Sequence, residues 1–270
     1  MTDILIPLMK DGSKHDNFEL RICLRSIEKH LKDYGNIYII GEKPGWLTGA
    51  IHIPFEDSTD NKQRAWNIYS KLTAGINYIS DIETKYIDKN YNPTYEQLSD
   101  NFLFMNDDHY LLTDYIAGEF PYYHRGPIQT HRVGNEAQRI QMENTVNDWR
   151  LKRMDNTKVL LYKQVNSILD YDVHCPVVYN KFLFSECFKG LEWPDYGYGI
   201  KSLYCNNQLY VHFQSQQCED LKFTEKAMKE SIYRALEGRG WWSIGDKCLT
   251  GGGMIEVLNE LYPLKSKYEL

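Results

Sequence analysis

The sequence predicts an α/β protein on a Rossmann-like, mostly parallel sheet with a mixed carboxyl-terminal half, and three observations lead there. Short apolar runs at 3–8, 36–40 and 101–105 have the length and composition of strands buried on both faces. The stretches after the first and before the third repeat their apolar residues every three to four positions, as one face of a helix does. Turn-forming residues mark the junctions. Strands that alternate with helices pair in parallel through crossovers, and such sheets take ligands at the carboxyl ends of their strands.

The elements follow in order. After the first strand, Asp11, Gly12 and Ser13 make a turn. Residues 18–32 form a helix on Leu20, Leu24, Ile27 and Leu31, with Asp16 and Glu19 spaced as a capping box. A loop at 41–49 separates the strand at 36–40 from a third at 51–53. Ala65, Ile68, Leu72, Ile76 and Ile79 define the second helix, with Lys62 near its start and Lys71 read as solvated surface. A polar insertion at 81–100 precedes the strand at 101–105. Beyond it the pattern loosens: a loop at 118–133, a helix at 134–153, a strand at Val211, His212 and Phe213, a helix at 225–237 ended by Gly238, and a last helix at 254–262.

Composition narrows the function. The 270 residues carry a net charge of −6, so no global basic field holds a nucleic-acid backbone constitutively. No apolar run reaches the length of a membrane span, and the first residues do not read as a signal peptide, so a cytoplasmic protein is expected. Six scattered cysteines without a CxxC pair read as reduced thiols. The 21 Tyr and 6 Trp suit flat ligands such as sugars and bases. P-loop, GxSxG and HExxH patterns are absent.

Chemistry is expected where the strand at 101–105 runs into Asn106-Asp107-Asp108-His109. Adjacent carboxylates repel, and a divalent cation, Mg²⁺ or Mn²⁺, would relieve the repulsion and neutralise a diphosphate. Neighbouring side chains on an extended backbone diverge, so Asp108 is the favoured metal ligand. Asp107 then shares the ion, binds substrate or orients a neighbour, and His109 is close enough to join. The alternative is an Asx turn at a strand end. Arg21 and Arg25 lie one helical turn apart and form a clamp for phosphate or carboxylate, or else an exposed basic face paired with Glu28. Lys62 is placed to meet phosphate. His174, stiffened by Pro176, is the candidate for acid/base work, against the alternative of a core histidine. Asp195, in a Trp-Pro-Asp-Tyr-Gly loop, binds acceptor hydroxyls or acts as a base, unless the loop is a plain turn. Asp246, ahead of Gly251, Gly252 and Gly253, belongs to a segment that could close over the site.

Several of these stretches together resemble a known family. Asp16-Asn17-Phe18-Glu19-Leu20-Arg21, then Leu24 to Lys29, Asn36 to Ile40, Pro44-Gly45-Trp46-Leu47 and the strand ending in Asn106-Asp107-Asp108 resemble the central region of the Stealth proteins, a family of sugar-phosphate transferases. Val173-His174-Cys175-Pro176 is similar to that family's His-x-Pro, and Lys201-Ser202 sits where a basic residue followed by Ser recurs. Gly245-Asp246 and the stretch from Leu258 to Glu269 resemble its last region. The resemblance implies a glycosyltransferase-A-like fold and a single transferase domain, 1–115 binding the nucleotide sugar and 116–270 the acceptor. It implies Asn17, Arg21, Arg25, Lys62, Lys201 and Asp246 on the donor, a UDP-sugar foremost, and hexose-1-phosphate passing to a hydroxyl acceptor such as a glycan. Ile6-Pro7-Leu8-Met9 and Gly245 depart from the family pattern, which leaves open ordinary glycosyl transfer with release of a nucleoside diphosphate. A third reading is a carbohydrate-binding domain without catalysis.

Overall fold

The computed structural model describes residues 1–10, 12–58, 64–78, 97–128, 148–165, 167–194 and 196–270, with side chains from 151 onward in the helix that begins at 148. Residues 81–96 of the insertion expected at 81–100, Asp11, Ile79, Lys62 and Asp195 lie outside the described residues, as does all of the helix expected at 134–153 before 148.

Five strands make the main sheet: β1 (Thr2–Leu8), β3 (Tyr34–Gly41), β4 (Ile51–Ile53), β5 (Asn101–Phe104) and β9 (Val177–Asn180), in the order β4-β3-β1-β5-β9. All neighbours run parallel except β9, which is antiparallel to β5. Ile4, Leu5 and Ile6 are fully buried, which explains why β1 reads as an unbroken apolar run: its two faces both meet protein. β9 comes from the second half of the chain, so both halves contribute to one sheet.

Helix α1 (Phe18–His30) follows β1, and α2 (Arg64–Ile76) packs on β1 and β3. The chain leaves β1 for β3 on one side and later places β5 on the other. Strand order therefore reverses at β1, and the crevice beyond the ends of β1 and β5 is the expected ligand position. The rim there is tight. Gly41 (φ +119°) closes β3, and a Cβ on it would sit 2.0 Å from the Leu8 carbonyl oxygen, so only glycine fits. Lys71 is a correction: it is buried, and its ammonium donates to Leu8 O (2.8 Å) and Asp57 (2.6 Å), closing the end of β1.

Two pairs of two-residue strands, β2 (Leu31–Lys32) with β7 (Tyr115–Ile116) and β8 (Tyr123–His124) with β10 (Gln216–Gln217), lie outside the main sheet, and a three-stranded sheet abuts the strand-end acids. In it β6 (His109–Leu111) pairs antiparallel with β12 (Trp241–Ile244), which pairs parallel with β11 (Lys222–Phe223). The remaining α-helices among the described residues are α3 (Asp148–Tyr162), α4 (Lys181–Phe188), α5 (Ile200–Asn206), α6 (Leu209–Gln214), α7 (Lys229–Leu236) and α8 (Met254–Leu261). The strand expected at 211–213 is α6 instead: only Val211 is buried while Leu209 and Phe213 are exposed, a one-sided pattern that helix spacing satisfies. Gly238 (φ +70°) follows α7, as the sequence indicates, though α7 starts at Lys229 and not at 225. The capping box at α1 also fails. Asn17, in the left-handed region (φ 52°), is the cap and makes no side-chain cap bond, whereas Asp16 pairs with Arg21 (2.7 Å) and Glu19 accepts from Ser13 Oγ (2.7 Å). Among the described residues no helix is long and apolar enough to cross a membrane.

The carboxyl-terminal segment is fastened to α1 chiefly by a buried acid, with Lys267 N also donating to Glu28 (2.9 Å). Glu269, whose side chain is fully buried, receives two parallel bonds from Arg25 (Nε 2.8 Å, Nη2 2.7 Å) and accepts from Ser266 N (3.0 Å) and Oγ (3.2 Å). Breaking a buried pair strands the remaining charge. Glu269→Ala is therefore expected to lower stability by about 3 kcal/mol in urea unfolding, and a loss below about 1 kcal/mol would show the pair to be incidental.

Candidate functional site

At the end of β5 the ladder continues one residue further, Met105 N donating to Leu5 O (3.1 Å), before the chain turns. The turn is closed by His109 N on Asn106 O (3.2 Å) and by Asn106 N on His109 Nδ1 (3.2 Å). The Asp108 carboxylate is no part of that turn: its Oδ2 accepts from Lys222 Nζ (2.8 Å) and Ser243 Oγ (3.0 Å), and its buried Oδ1 has no hydrogen-bond partner, His109 Nε2 standing 3.9 Å away. The small sheet explains this, because Lys222 stands opposite Ser243 and Ser243 opposite His109 in register, one row beside the acids.

Asp107 is partly buried, and desolvation, then the charges of Asp108 and Glu19, push its carboxyl up to about 8. A cation would relieve that repulsion, and the partnerless Asp108 oxygen is a suitable ligand for it. Among the described residues no cluster of three or more metal-ligating side chains exists.

His109 is a correction. Its Nδ1 accepts a main-chain N–H, so in the neutral ring the proton sits on Nε2, and a protonated nitrogen cannot ligate a metal. Burial and the nearby charges of Lys201, His174 and Lys222 hold its pKa well below the usual histidine value, keeping it neutral. His109 closes the turn.

His174 is held by a single carboxylate at two points. Asp220 Oδ1 accepts from His174 N (3.0 Å), and Oδ2 lies 2.7 Å from Nδ1. Arg125 Nη1 is 3.8 Å from Asp220 Oδ2. Although burial opposes it, bonding to His174 and the Arg125 charge keep the Asp220 carboxyl below its ordinary pKa. An ionised Asp220 fixes the proton on Nδ1 and leaves Nε2 as the basic nitrogen. Asp220 and Lys222 are two residues apart on one extended segment, which thus serves both His174 and Asp108.

Lys201 is also corrected. Its buried ammonium donates to Val173 O (2.7 Å) and Cys175 O (2.5 Å) and lies 5.5 Å from the Phe104 ring centre. It braces the segment carrying His174 and also lines the cavity beside that histidine.

His174, Lys201 and Asn106 of the strand end border a cavity of about 760 Å³ together with the cations Arg64, Arg125, Lys152 and Arg153; Asp107 and Asp108 are not among its lining residues. Arg153 and Arg125 both pair with Asp170, which fixes them at the wall. Asp172 lines the same wall, its pKa raised by burial and by Asp170.

Other expected donor ligands lie elsewhere. Arg25 and Arg21 form a clamp, but its carboxylate is Glu269 of the same chain, and Arg21 also stacks 4.1 Å over Trp46. The correction has a plain cause, since the clamp is already filled. Asn17 is buried with an unpartnered Oδ1. Asp246 opens the 3₁₀ turn Asp246–Thr250 just beyond β12, exposed and outside the cavity lining. Sequence reading missed Asp220, Lys222, Ser243 and Arg125, which sit in short segments without periodicity or motif.

In comparison with known proteins, the chain matches no family model and no curated protein.

Proposed function

We propose that the chain is a transferase acting on a nucleotide-diphosphate sugar, moving hexose-1-phosphate from a UDP-sugar or a close relative to the hydroxyl of a glycan acceptor. The observation that carries this reading is the cavity at the carboxyl end of β5, where Arg64, Arg125, Lys152, Arg153 and the oriented His174 border one space. Lys and Arg suit the oxygens of a diphosphate, and displacement at phosphorus needs positioning and charge neutralisation more than covalent chemistry by the protein. The expected resemblance to sugar-phosphate transferases agrees with it.

In the proposed reaction Arg64, Arg125, Lys152 and Arg153 bind the donor's phosphate oxygens. His174 Nε2 takes the acceptor hydroxyl's proton while Nδ1–H stays on Asp220. The acceptor oxygen bonds to the sugar-proximal phosphorus, the bond from that phosphorus to the bridging oxygen breaks, and nucleoside monophosphate leaves. Asp108, with Asp107, would hold a Mg²⁺ or Mn²⁺ ion, which when bound supplies further positive charge to the diphosphate.

The test is binding followed by product analysis. A panel of nucleotide sugars with Mn²⁺ is expected to raise the melting temperature for at least one donor, since a ligand of the folded state stabilises it by mass action. Turnover of that donor should release nucleoside monophosphate. Release of diphosphate would assign glycosyl transfer instead, and a panel without any shift would overturn the transferase reading.

A further inference from the structure

A second cavity, of about 580 Å³, opens at the other end of β5. Its position follows from register: Asn101 begins β5, Asn180 ends β9, and the two are cross-strand partners. The acidic turn follows the opposite end of β5, so the length of the strand separates this cleft from Asp107 and Asp108.

Its chemistry is unlike that of the first cavity. No lysine, arginine or histidine is among its lining residues, and Glu119 is the one charged side chain there. The polar lining is amide: Asn101, Asn180, Gln214 and Gln216. Asn180 is spent internally, its Oδ1 capping α4 and its Nδ2 donating to Asn101 Oδ1 (2.9 Å). That leaves the Asn101 NH₂ group and both glutamine amides without side-chain partners among the described residues. Beside them Tyr210, 40% exposed, is fixed edge-on against Tyr122 (6.2 Å between ring centres), with its hydroxyl 3.2 Å from that of Tyr204.

We infer that this cleft binds a neutral glycan chain. A sugar offers an apolar C–H face to an aromatic ring and a rim of hydroxyls, each both donor and acceptor, which side-chain amides match with both functions. The missing cations disfavour phosphates and nucleotides. The volume lies within the usual range of small-ligand sites. Resting on the transferase reading, this site holds the acceptor polymer away from its reacting end and raises the local concentration of that end without touching the chemistry.

Affinity electrophoresis of the full chain tests it, using native gels cast with dextran, maltodextrin, hydroxyethylcellulose or galactomannan, and heparin as the anionic control. At least one neutral polymer is expected to retard the protein. The surface variant Gln214→Ala/Gln216→Ala should weaken that retardation about tenfold, as two lost hydrogen bonds would. Tyr210→Ala should do the same. Absence of retardation by every neutral polymer, or retardation equal in all variants, overturns the inference. The nucleotide-sugar melting shift, read in the same variants, separates the two ideas: it stays intact if only the glycan cleft is wrong and is absent if the transferase reading is wrong.

Discussion

Asp108→Ala is expected to lower turnover at least ~10²-fold, the scale of losing a main stabiliser of transition-state charge. The residue's two oxygens have different surroundings. Oδ2 is bound by Lys222 and Ser243, which fix the carboxylate, while the buried Oδ1 keeps its accepting capacity unused. A buried acceptor without a partner costs free energy that folding alone does not return, which is reasonable where a ligand completes it. Asp108→Asn separates structure from chemistry. It preserves shape and an acceptor for Ser243 but removes the charge, so it should lose activity nearly as far as alanine while melting close to the parent. If asparagine restores turnover to within about threefold, Asp108 serves the fold and the proposed cation site has no functional role.

The parts of the molecule legible in its sequence are those whose cause is local. β1, β3 and β5 are buried on both faces, which forces apolar runs, and α1 and α2 carry stripes because one face of each is buried, α2 against β1 and β3 and α1 against β6. Asp107 and Asp108 stand out because charged residues directly after a buried strand need an explanation. The rest depends on partners far along the chain. Arg25 looks like a phosphate ligand until Glu269, 244 positions away, is seen to fill its fork. Lys71 looks solvated until the fold brings the Leu8 carbonyl and Asp57 to it. Asp220 and Lys222 flank the start of a two-residue strand, too short to show any period, so nothing in their neighbourhood marks one for His174 and the other for Asp108. His109 misleads in the opposite way: its place beside two acids suggests a ligand, but a main-chain amide already occupies Nδ1.

Manganese affinity is expected to rise about tenfold per pH unit between pH 6 and pH 8, and then to level off. The basis is Asp107, whose carboxyl is pushed up to about 8 by desolvation first, then by Asp108 and Glu19. Below that value the acid keeps its proton, and a cation that draws on both carboxylates must displace it, so one proton leaves per ion bound and affinity follows with unit slope. Above it the site is already ionised and pH no longer matters. The sign for stability is the reverse. Between the unfolded value near 4 and about 8 the native chain holds a proton that the unfolded chain has lost, so without a cation this acid favours folding less and less as pH rises through that window. Adding Mn²⁺ should raise the melting temperature more at pH 8 than at pH 6, reflecting about a 50-fold gain in apparent affinity. Asp107→Asn is expected to flatten the dependence, because no proton remains to be displaced there. Calorimetric titration in two buffers of different ionisation enthalpy counts the released proton directly. A flat affinity from pH 6 to pH 8 in the parent chain, with no proton released, would mean that the ion draws on Asp108 alone and that Asp107 stays protonated to serve as a hydrogen-bond donor.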